Sequence, residues 1–280
     1  MKKREWIFLL CFIVASAVKL SNLFAEIPDH PLLELTRQKR GPRLEYALQN
    51  HAHISLTPDG KTFYLWWLPE GSSPDNLPPI IANISGHDGW AVEDFHVWHD
   101  SLQKHGYGFL AIQWWLGSGE SPRDYLTPSE IYRVMDSVFQ KEKVKPGTVM
   151  LHGFSRGSTN TYAVAAQDRS EHKNYFALIV ANSGKANSNY PPTREIEEGR
   201  YGAKPFEGTH WVTFAGGQDT HPERDGIPGM RAAGQWIGQY GGTVDLAIED
   251  ANSGHGGFHQ NPQNTEAALA VFEKILKQKV

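Results

Sequence analysis

The sequence predicts an α/β fold: one mostly parallel sheet of eight strands with helices on both faces. Three features lead there. After residue 50, two strand-like stretches flank the turn Pro58-Asp59-Gly60, and strands then alternate with helix-compatible segments to the end of the chain. Several inner strands are apolar almost throughout, as in PPIIANIS at 78–85 and TVML at 148–151; such runs mark strands covered on both faces. The 280 residues are 40% hydrophobic and 21% charged, enough apolar material for one sizeable core.

Taken in order, the chain opens with Lys2, Lys3 and Arg4, then an apolar stretch from Trp6 to Val14, then small residues at Ala15, Ser16, Ala17 and Ala25. That is the pattern of a secretory signal peptide, with cleavage after Ala17 or after Ala25. Lys19 interrupts the apolar run before the roughly 20 residues that a membrane helix needs. The expected division is a signal peptide over 1–25 and one domain over 26–280, secreted or periplasmic, with no stable membrane anchor once the leader is cut. The only cysteine, Cys11, falls in the leader, so the mature chain is expected to have no disulfide.

Residues 28–50 are polar and hard to assign. Strands are expected at 51–57, 61–69, 78–85, 108–115, 148–154, 176–183, 211–216 and 243–250. Helices are expected at 93–105, 127–144, 155–168, 193–201, 228–240 and 262–277. Thr127 and Pro128 read as the cap and first position of one helix, and Asn261 as the cap of the last. A net charge of −4 with no basic cluster argues against a nucleic-acid partner.

The chemistry centres on Gly153-Phe154-Ser155-Arg156-Gly157, a G-x-S-x-G segment between a buried strand and a helix. In that context the serine sits on a sharp strand-to-helix turn with its hydroxyl above the sheet edge, and the glycines leave room for the backbone. A serine hydroxyl needs a base to take its proton. With the order nucleophile, acid, histidine, Asp219 in GGQDT and His255 in NSGHGG both follow later strands and leave the same edge of the sheet. Asp225 lies further from its strand end, and Glu249 and Asp250 come after the strand that precedes the histidine. His259 shares the loop with His255, but it adjoins the start of the last helix. The oxyanion formed on attack needs two preset N–H donors. Arg156, directly after the serine, supplies one. The loop Ser85-Gly86-His87-Asp88-Gly89-Trp90 supplies the other, assigned to His87 with Asp88 as the alternative. His87 and Asp88 as metal ligands would need further ligands at suitable spacing, so no metal is expected.

The strand order with GFSRG, GGQD and GHGG resembles the α/β-hydrolase superfamily over roughly residues 51–278. The leader and compact layout are similar to secreted bacterial esterases of the feruloyl-esterase, polyhydroxybutyrate-depolymerase and dienelactone-hydrolase-like types. This resemblance implies the α/β-hydrolase fold and a carboxylic-ester hydrolase with a Ser-His-Asp triad and no cofactor, acting on a small-molecule or polysaccharide-linked ester. A serine peptidase of the same fold is one rival; a non-catalytic carbohydrate-binding or interaction protein is the other. Trp90, Trp114 and Trp115 are candidates to flank the substrate, and the polar stretch 185–209 is the natural place for a cap.

Overall fold

A computed structural model of the chain describes residues 27–73 and 75–278. The leader expected over 1–25 lies outside the described residues.

Eight strands form one sheet: β1 (His53–Leu56), β2 (Phe63–Trp67), β3 (Ile80–Ile84), β4 (Gly108–Ile112), β5 (Val149–Phe154), β6 (Phe176–Asn182), β7 (His210–Gly216) and β8 (Thr243–Asp250). Their order across the sheet is β1-β2-β4-β3-β5-β6-β7-β8. β2 pairs antiparallel with β1 and β4, and every pair from β4 to β8 is parallel. The eight α-helices described are α1 (Pro31–Gln49), α2 (Ala91–His105), α3 (Pro128–Glu142), α4 (Arg156–Ser170), α5 (Pro191–Glu197), α6 (Ile227–Gln239), α7 (Gly257–Gln260) and α8 (Pro262–Gln278).

The sheet divides the apolar interior into two cores. Side chains alternate across a strand, so Ile80, Ala82 and Ile84 of β3 face α3, α4 and α6, while Ile81 faces α1, α2 and α8. Both neighbours of an inner strand are therefore helix layers, which is why its sequence is apolar without interruption. β8 is the contrast: its residues alternate between exposed and half-buried, and its sequence TVDLAIED alternates with them.

The segment 28–50, hard to assign from sequence, folds as α1. Pro31 stands in its first turn, and the side chain of His30 accepts the N–H of Leu32 at 3.2 Å. The helix is kinked where Arg40 leaves helical geometry (φ −137°, ψ 28°), just before Gly41 and Pro42. Only Leu32, Leu33, Thr36, Leu44 and Ala47 are buried along its 19 residues. That apolar face, broken by the kink, carries too weak a period to read in advance.

α3 starts as the sequence requires. The Thr127 side chain accepts the Glu130 N–H at 3.3 Å, and Glu130 Oε2 accepts the Thr127 N–H at 2.8 Å. This reciprocal pair satisfies two backbone groups that a helix start leaves open. Thr127→Ala should cost about 1 kcal/mol. A urea midpoint shifted to that extent with an unchanged slope is the expected result; an unchanged midpoint would show that the cap is not limiting.

Candidate active site

Ser155 stands between β5 and α4 with φ 53° and ψ −118°, a conformation that L-residues rarely adopt. Strain of this kind persists only where the surroundings enforce it. Its N–H donates to Asn182 O at the end of β6, at 2.8 Å. The flanking glycines are required by contact. A Cβ on Gly153 would come within 2.5 Å of Thr161 Cγ2, and one on Gly157 would overlap the carbonyl oxygens of Ile84 and Ser85. α4 can lie this close to the end of β3 only because Gly157 has no side chain.

The sequence-predicted groups converge. His255 Nε2 lies 2.8 Å from Ser155 Oγ, and His255 Nδ1 lies 2.6 Å from Asp219 Oδ2. The Asp219 side chain is almost wholly buried, while that of His255 is 35% exposed. Asp219 Oδ1 also accepts the His221 N–H at 2.8 Å, which fixes the carboxylate plane. His255 comes from the loop after β8 and Asp219 from the loop after β7, at the same edge as Ser155. His259 is elsewhere, packed edge-on against Trp98 at 4.8 Å between ring centroids.

The loop 85–90 passes against the serine: a Cβ built on Gly86 would lie 3.5 Å from Ser155 Cβ. Among the described residues the His87 N–H donates to no protein atom, whereas Asp88 N–H reaches Tyr125 Oη at 3.4 Å. Arg156 opens α4, where the first N–H groups have no partner within the helix. His87 Nδ1 and Asp88 Oδ1 are 3.5 Å apart. Among the described residues, the one group of three metal-ligand side chains is Asp219, Asp225 and His255, and there His255 Nδ1 is already engaged by Asp219.

A cavity of about 820 Å³ opens beside Ser155. Trp114, Tyr125, Tyr190 and Tyr201 supply aromatic wall, with Pro122, Pro191 and Pro192 between them. Of the three tryptophans expected near the substrate, only Trp114 lines this cavity. Its Nε1 donates to Ser85 O at 3.0 Å. Trp90 is buried and meets Trp115 edge-to-face at 5.3 Å, and neither lines the cavity. The stretch 185–209 forms one wall, through Asn187, Tyr190, α5 and Tyr201. Tyr190 was legible only as a member of the stretch 185–209, expected to form a cap.

Beneath Ser155 lies a polar layer that sequence reasoning missed. His152 on β5 is 1% exposed. Its Nδ1 is 2.6 Å from Asn83 Oδ1 on β3, and its Nε2 is 3.2 Å from Asn182 Nδ2 on β6. An amide oxygen can only accept and an amide nitrogen only donates, so the imidazole is neutral with its proton on Nδ1. Trp98 Nε1 donates to the same Asn83 oxygen at 3.1 Å. The available signal was a polar residue inside an otherwise apolar strand, once in each of three neighbouring strands.

No protein-family model matches the sequence, and no curated protein matches it. Solved structures match in fold. An esterase from Rhizomucor miehei superposes with a TM-score of 0.61 at 16% identity, over 89% of this chain and 92% of that one. An esterase of Pyrobaculum calidifontis gives a TM-score of 0.58 at 15% identity, over 90% of this chain and 100% of that one. Esterase 2 of Thermogutta terrifontis, phosphonylated by sarin, gives 0.58 at 12% identity, over 81% of this chain and 95% of that one. With its eight-stranded sheet and strand order, the chain has the α/β-hydrolase fold.

Burial holds the His152 pKa well below the usual histidine range, with the neighbouring His259 adding to the effect. The folded protein thus refuses a proton that the unfolded chain accepts below about pH 6.5. Stability from this group is complete above that pH and is lost as pH falls. Between pH 7.5 and pH 5 the loss from His152 alone should be about 2 kcal/mol. Urea midpoints at the two pH values, compared between wild type and His152→Gln, measure it; an equal pH dependence in both proteins would refute the assignment.

Proposed function

We propose that the chain is an exported serine hydrolase of carboxylic esters. The carrying observation is the unbroken hydrogen-bonded path from Ser155 Oγ through both nitrogens of His255 to the buried Asp219 carboxylate. Several solved structures of like fold are named esterases, and the proposed reaction class agrees with theirs.

In this reading His255 Nε2 takes the Ser155 proton as Oγ attacks the ester carbonyl. Negative charge then develops on the carbonyl oxygen. The backbone N–H groups of His87 and Arg156 receive it, and both are uncommitted in the resting structure. Asp219 accepts from Nδ1–H, so it orients the ring and stabilises the imidazolium. Collapse breaks the ester C–O bond, and His255 returns the proton to the departing alcohol. A water, deprotonated by the same nitrogen, then attacks the acyl-enzyme. The free acid leaves and Ser155 regains its proton. The scheme calls on no cofactor. The substrate is a small-molecule or polysaccharide-linked ester that enters the aromatic-walled cavity.

Ser155→Ala should abolish ester turnover and labelling by a fluorophosphonate while the protein stays folded. His255→Ala should lose at least about a thousandfold in kcat/KM, and His259→Ala much less. Near-normal turnover in folded Ser155→Ala would refute the mechanism, and the reverse histidine order would move the base.

Export rests on the basic start and short apolar run of the leader. N-terminal sequencing of the natural protein should find a mature chain beginning after Ala17 or Ala25, outside the cytoplasm. A chain that still begins at Met1 would overturn this part.

A further inference from the structure

The cavity beside Ser155 holds a charge that the ester chemistry above leaves unused. Its charged lining consists of Arg156, Arg200, Arg224, Glu195 and Asp225. Two of the three arginines are paired within the cavity. Arg200 Nη1 meets Glu195 Oε2 at 2.6 Å, and Arg224 Nη2 meets Asp225 Oδ2 at 2.6 Å.

Arg156 has no carboxylate partner among the described residues. Its guanidinium lies over the Tyr125 ring at 4.4 Å, and Nη2 donates to Glu120 O at 3.2 Å. A ring face and a carbonyl bring no net charge, so the cation is held in place without being neutralised. Nη1 is shut off from solvent and has no acceptor among the described residues. A cation that lines a cavity without a counter-charge attracts an anion that enters the same cavity. The whole chain carries a net charge of −4, so a positive cavity runs against the global sign.

We propose that the ester substrate carries a carboxylate, which Arg156 binds while a ring of the substrate lies along the wall of Trp114, Tyr125 and Tyr190. The proposal rests on the esterase reading. Arg156 and Ser155 line the same cavity, so the carboxylate belongs to the same molecule as the scissile bond. A guanidinium presents a planar fork of donors that fits a carboxylate with two parallel bonds. The apolar walls strengthen that contact by excluding water.

The test uses ester pairs that differ only in charge: para-carboxyphenyl butyrate against para-carbamoylphenyl butyrate, and phenyl hydrogen adipate against phenyl adipamate. The first pair places the anion on the alcohol, the second on the acid. The quantity read is the ratio of kcat/KM within a pair, in wild type and in Arg156→Gln. Because it is a ratio, any general loss through the backbone N–H of this residue cancels. Wild type should favour the carboxylate in at least one pair. Arg156→Gln should lower that ratio by about 10- to 100-fold, and Arg156→Lys by less. A ratio unchanged in Arg156→Gln, or a wild type that favours the amide in both pairs, overturns the proposal. If no ester is turned over at all, the esterase reading fails by itself. The anion site is then judged by equilibrium binding of para-hydroxybenzoate against para-hydroxybenzamide: a preference for the acid that Arg156→Gln abolishes supports it, and equal affinities refute it.

Discussion

Everything at the edge that carries Ser155 depends on how closely the backbones of β3, β5 and α4 approach. The chain turns from β5 into α4 through a strained Ser155, and α4 then runs past the carbonyls of Ile84 and Ser85 with only Gly157 between them. That approach brings the first N–H of α4 and the loop after β3 to the same side of one hydroxyl. It also fixes where the loops after β7 and β8 must end for Asp219 and His255 to complete the path. A larger residue at Gly157 would push helix and strand apart, and every distance in the site would change with that gap.

A second constraint lies one layer down. Asn83 on β3 is the register partner of His152 on β5, Asn182 on β6 lies two residues beyond the other register partner of His152, and both amides bond the His152 ring across the sheet. A one-residue slip of β3 or β6 would turn its polar side chain to the other face and break its bond to His152, and a slip of β5 would break both. This row therefore favours one register in a part of the sheet where apolar side chains alone discriminate weakly. Because Asn182 also accepts the Ser155 N–H through its carbonyl, the register of β6 bears directly on the elbow.

Much of this was legible in advance, for physical reasons. Buried parallel strands must be apolar on both faces, so β3 to β7 stand out as runs, and the glycines around Ser155 mark a close approach that only they permit. Asp219 and His255 could be singled out because each follows a strand whose end could be read. α1 was missed because its apolar face is interrupted at Arg40–Pro42, so neither half shows a sustained period. The Asn83–His152–Asn182 row was missed because each member looks like an isolated exception inside its own strand, and only the sheet order makes them neighbours. Trp90 and Trp115 were expected near the substrate from their place after strand ends. Such a place specifies a loop and not a side-chain direction, and these two indoles turn toward each other.

The partial exposure of the His255 ring bears on the second half of the proposed hydrolysis. With 35% of its side chain open, the imidazole of the resting structure is already in reach of water. The small molecule that the proposed deacylation consumes therefore needs no flap to lift before it meets the ring.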